Sequence, residues 1–113
     1  MERLTDMTFL NSFTGGSPEK VKKYVNMFLT YCPGQLSAMR DHLATSDLDQ
    51  LRAVAHALKP QITYMGIKGG EGLIKEIERL AASVTDTEKL PEMLGNFTDI
   101  CEKAMVELKN EIA

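Results

Sequence analysis

Apolar residues return every three or four positions along almost all of this 113-residue chain. One stripe runs Val21, Val25, Phe28, Leu29, Cys32, Leu36, Met39, Leu43, and a second Leu48, Leu51, Ala55, Leu58, Ile62, Met65. A third is Leu73, Ile77, Leu80, Ala81, Val84, and a fourth passes from Leu90 through Met93, Leu94, Phe97, Ile100, Cys101, Ala104, Met105 and Leu108 to Ile112. This is the period of a helix buried along one face, and no strand-like alternation competes with it. Four such helices joined by short connections bury their stripes against one another. The expected fold is therefore all-α, an antiparallel four-helix bundle. The segment "TDMTFLNSF" adds a short N-terminal helix, with Thr5 or Asp6 as its cap. The length fits one domain, residues 1–113, around one core.

The punctuation agrees with this division. "GGS" breaks the chain before Ser17, which caps the next helix with Pro18 at its first position. Pro33 falls inside a stripe that resumes beyond it, so a kink is expected there rather than an end. "ATSDLD" reads as a turn, with Ser46 and Asp49 at capping-box spacing. "GGEG" follows a helix rather than a strand and lacks a following Gly-Lys-Ser/Thr, so it is a turn opening a helix and not a phosphate loop. "TDTEKLP" begins the last helix.

Composition narrows the function classes. The formal net charge is -3 and no basic stripe stands out, which argues against a nucleic-acid partner. No apolar run is long enough for membrane insertion, and "MERLTDMTF" lacks the core of a signal peptide, so a cytoplasmic setting is expected. Cys32 and Cys101 form no CxxC and read as buried thiols. His42 and His56 are placed about two helical turns apart, too far for a shared metal, and no metal is expected.

The stretch that packing alone does not explain is "AHALKPQITYMG", Ala55 to Gly66. An interior proline costs a helix about 3 kcal/mol. At 100° per residue, His56 lies roughly 130° from the core direction of its stripe, on the solvent side. Arg52, Lys59 and Thr63 share a polar line with it, and Pro60 and Tyr64 lie on the same outer strip. Lys59 is one turn on, where its ammonium reaches an anion carried by the imidazole. Pro60 supplies no N–H to the His56 carbonyl. A reactive nitrogen, a cation and a compact apolar surround suit a protein partner that bears a phosphoryl group.

"RAVAHALKPQITYMGIKGGEGLIKEIE" resembles the histidine-containing phosphotransfer (HPt) family of bacterial two-component signalling. The family motif is a histidine, a lysine three residues on and a glycine ten residues on, matched by His56, Lys59 and Gly66, with Arg52, Ala55 and Leu58 as usual flanks. Family members often place Gln or Glu on the next helix facing the histidine, and Glu78 stands there. The chain departs from the pattern at Pro60 and Gln61, where a glycine and a small residue are usual.

The resemblance implies a function. His56 would accept a phosphoryl group from a receiver-domain aspartate and pass it to another receiver aspartate in a multistep phosphorelay. Lys59 would offset the phosphoryl charge and Glu78 would orient the imidazole, while Arg52, Pro60, Thr63, Tyr64 and Gly66 would lie in the receiver-docking surface. The protein would be a carrier without kinase activity of its own, monomeric, partnered by receiver domains and a hybrid sensor histidine kinase. It would carry no cofactor, magnesium coming with the receiver. The alternative is a degenerate module that docks receivers without transferring phosphate.

Overall fold

The computed structural model describes residues 4–112. Its elements are a short helix α1 (Thr8–Phe13), then α2 (Pro18–Ala44), α3 (Leu48–Tyr64), α4 (Gly70–Ser83) and α5 (Leu90–Glu111), the last entered through a 3-10 turn (Thr87–Lys89). Each long helix packs on the next, and α5 returns against α2 to close a four-helix bundle. The connections are short, so successive helices run antiparallel. Among the described residues there is no strand. None of these helices is long and apolar enough to cross a membrane.

The helices begin where their chemistry dictates. The Ser17 hydroxyl accepts from the Lys20 N–H at 3.4 Å, and Pro18 follows at the first helical position. At α3 the cap is Asp47, whose carboxylate accepts from the Gln50 N–H at 3.3 Å. This corrects the Ser46–Asp49 expectation: Ser46 takes a positive φ of 57° within the turn, a conformation that carries it away from the capping position. Neither cap expected for α1 holds the capping position, which Met7 occupies without a side-chain cap: Asp6, one residue earlier, accepts from the Thr8 N–H at 2.9 Å, and Thr5 is buried and turned toward Glu107. α2 continues through Pro33, whose ring is exposed.

The core follows the stripes. Phe28, Leu51, Leu58, Ile62, Ile77, Phe97 and Leu108 are almost wholly buried, each contributing about 1.5–3 kcal/mol relative to exposure. Two assignments differ from expectation. Ile74, absent from the expected stripe, is fully buried at the start of α4, while Leu73 is partly buried and packs against the core. Val84 has left the core altogether: it is 66% exposed, in the left-handed conformation that ends α4. A stripe followed by period alone runs on past the residue where the backbone stops being helical.

The segment before α1 is sewn to the bundle. The Asp6 N–H donates to the Gly66 carbonyl at 3.0 Å and the Lys68 N–H to the Leu4 carbonyl at 2.7 Å. The Leu4 and Thr5 N–H groups donate to the Glu107 carboxylate of α5 at 2.8 and 3.2 Å. Met7 and Leu10 then enter the core. A six-residue helix does not hold its shape alone, so these bonds and the two buried side chains set the position of α1.

Candidate phosphotransfer site

α3 presents two different faces. Leu51, Ala55, Leu58 and Ile62 are buried, and the opposite side carries Arg52, His56, Pro60, Thr63 and Tyr64, all exposed. The His56 side chain is 67% exposed, so its ring is open to a second protein. Lys59, on the flank, is half-buried.

α4 supplies the third member. Ile74 and Ile77 anchor this helix in the core, which turns Glu78 toward α3. Its Oε2 lies 2.6 Å from His56 Nδ1, and its Oε1 accepts from Lys59 Nζ at 2.7 Å. An ionised carboxylate only accepts, so in the neutral imidazole Nδ1 carries the proton and Nε2 keeps its lone pair. The Lys59 ammonium holds the Glu78 carboxyl below its ordinary value, against the opposing pull of partial burial, and the bond from His56 adds to the lowering. One carboxylate thus fixes both the tautomer of the histidine and the position of the lysine.

The bond between Lys59 and Glu78 is not legible in the sequence, which suggests only a phosphoryl group as the partner of Lys59. The remaining expected positions fall as follows. Arg52 is one turn before His56 on the exposed side. Thr63 is exposed and its hydroxyl donates to the Lys59 carbonyl at 3.4 Å. Gly66 is half-buried in the turn after α3 with φ +59°, and a Cβ on it would overlap the Asp6 carbonyl. It thus serves as the seat of the N-terminal strap. His42 lies half-buried in the last turn of α2. Among the described residues no group of three or more His, Cys, Asp or Glu is placed to hold a metal ion.

An aromatic surface begins where α3 ends. Tyr64 stacks on Phe9 and Phe13 of α1, with ring centroids 5.3 and 6.1 Å apart, and Phe13 meets Tyr24 of α2 edge-on at 5.6 Å. Of this group, only Tyr64 stands out in the sequence. The signal that was available is Phe9 and Phe13 four apart, on a helix whose buried residue is Leu10.

The sequence profile of the Hpt domain matches residues 23–113. The fold is similar to that of the solved histidine-containing phosphotransfer protein B (HptB) from Pseudomonas aeruginosa PAO1. The TM-score is 0.88 at 20% identity, over 99% of this chain and 96% of that one. At that identity the likeness concerns the fold. No curated protein is similar enough to this chain to count as a match.

Proposed function

Because the chain belongs to the Hpt domain family, whose profile covers residues 23–113, we propose that it carries a phosphoryl group on His56 between receiver domains. The observation that supports this most is the pairing of an exposed imidazole with a carboxylate at Nδ1, 2.6 Å away. Nε2 attacks the phosphorus of a receiver aspartyl phosphate; the N–P bond forms as the O–P bond to the aspartate breaks, and the aspartate leaves as a carboxylate. The Nδ1 proton stays on the ring, where Glu78 offsets the positive charge that develops. Return to a second receiver reverses these steps. Magnesium belongs to the receiver, and Lys59 moves from Glu78 toward the phosphoryl oxygens.

Pro60 fits this reading as part of the docking surface. Its ring is exposed beside His56 and offers a partner rigid apolar area at low entropic cost. The protein acts as a carrier between receivers and a hybrid sensor kinase and does not phosphorylate itself from ATP. Incubation with receiver domains phosphorylated by acetyl phosphate tests the reading: acid-labile label appears on the chain and is chased by a second receiver. Stable binding of phosphorylated receivers with no label transferred would establish the docking-only alternative instead.

A further inference from the structure

The two cysteines are nucleophilic groups that the proposed function leaves unused. Both are wholly buried, Cys32 on α2 and Cys101 on α5. α2 and α5 pack side by side and run antiparallel. Their register follows from the two ends of the seam. At one end Val21 of α2 and Ile112, just past α5, line a common hollow; at the other Leu43 of α2 and Pro91 and Leu94 of α5 do so. Cys32 lies three turns after Val21 and Cys101 three turns before Ile112, about 16 Å in each case. Counted from the other end, Cys32 is about three turns before Leu43 and Cys101 about three turns after Pro91. The two residues thus stand opposite each other at the middle of the seam.

Their thiols meet there. The Cys101 S–H donates to the Cys32 sulfur, which holds the Cys32 thiol below its ordinary value against the pull of burial. The same bond and burial push the Cys101 thiol up. Cys32 is therefore the residue that reaches the thiolate, the nucleophilic form, more readily. Small residues that face each other across ordinary helix packing, with axes about 8–10 Å apart, hold their Cα atoms within the range of about 4.4–6.8 Å that a disulfide spans. A single buried thiol is inert, but a thiol in contact with a second one has a resolving partner beside it.

We infer that Cys32 and Cys101 are a reversible oxidation site, at which hydrogen peroxide forms a disulfide that staples α2 to α5. The Cys32 thiolate attacks a peroxide oxygen, and the O–O bond breaks to leave a sulfenic acid and hydroxide, which takes up the proton that Cys32 released. The Cys101 sulfur then attacks the Cys32 sulfur; the S–S bond forms, the S–O bond breaks, and the Cys101 proton leaves with the hydroxyl as water. Two thiols and one peroxide give one disulfide and two waters, the sulfurs oxidised and the peroxide oxygens reduced. Neither sulfur is exposed, so peroxide enters only as the seam opens, and the rate follows that opening. The bond closes a loop that holds all of α3 and α4, and it stabilises the bundle by restricting the unfolded chain. His56 and Glu78 meet at the α3–α4 seam, on the other side of the bundle, so the staple does not touch them. The inference stands independently of the carrier function.

The full chain, reduced and then freed of reductant, is treated with hydrogen peroxide. Thiol titration of the unfolded product should find both thiols lost, and a non-reducing digest should give one peptide pair that joins Cys32 to Cys101. A thiol reductant should restore both thiols. The urea midpoint of the peroxide-treated chain should be about 1–3 M higher without the reductant than with it. Because both samples have had the same peroxide and the reductant does not reverse methionine oxidation, that side reaction is equal in the two. In Cys32→Ala and Cys101→Ala, treated in the same way, the reductant should leave the midpoint unchanged, whatever the substitution itself costs in packing. Thiols that persist, oxidation that ends at sulfinic acid, or a bond formed only between chains would overturn the inference. So would a joined pair whose reduction leaves the midpoint where it was.

Discussion

Glu78 decides most at the scale of single residues, because two cations compete for one carboxylate. A carboxyl lowered in the folded state contributes stability that is present above its unfolded value, near 4.3, and is lost as pH falls through the lower folded value. The bridge is therefore intact at neutral pH and opens only in acid, below the ordinary carboxylate range. Since Lys59 is the largest cause of the lowering, Lys59→Ala moves the Glu78 titration upward, read by carboxyl-carbon NMR; a titration left in place would show that Lys59 is not its partner. Glu78→Gln keeps the shape but cannot offset charge on the imidazole, so it slows receiver-driven labelling, while losing only the modest stability of a partly exposed ion pair, about 1 kcal/mol or less. Pro60 works in the other direction. It is exposed and leaves the His56 carbonyl without its helical donor, so Pro60→Ala stabilises the isolated protein by up to about 3 kcal/mol. Urea denaturation measures this, and slower transfer in the same variant would mark the ring as part of the docking surface.

Single elements separate what was legible in the sequence from what was not. Periodicity located the four long helices, since each must bury a stripe and each stripe has a helical period. It failed where backbone conformation overrides pattern. Val84 continues the period but occupies a left-handed residue, and Ser46 has a capping side chain but a positive φ. Asp47 is the cap in fact, and Asp47→Ala should cost about 1 kcal/mol by denaturation. Gly66 fits the family motif, yet its local reason is invisible without the fold: the strap passes so close that a Cβ collides with Asp6. In Gly66→Ala the amide protons of Asp6 and Lys68 should exchange faster, because the carbonyls that hold them shift. Protection retained at both would mean that the strap is held without this turn.

Across the whole molecule, the bundle brings His56 to the surface and surrounds it with groups drawn from separate helices. His56 and Lys59 were readable together because they are three apart on one helix. Their meeting with Glu78, and the meeting of Phe9 with Tyr64, depend on how helices distant in sequence pack, which no local pattern encodes. On the function proposed above, the bundle serves one phosphoryl acceptor. The most direct measurement is receiver-driven labelling of His56→Gln beside His42→Gln, each checked for folding by its thermal melt. Acid-labile label should vanish in His56→Gln and persist in His42→Gln; label that survives the loss of His56 would contradict a single acceptor at that residue.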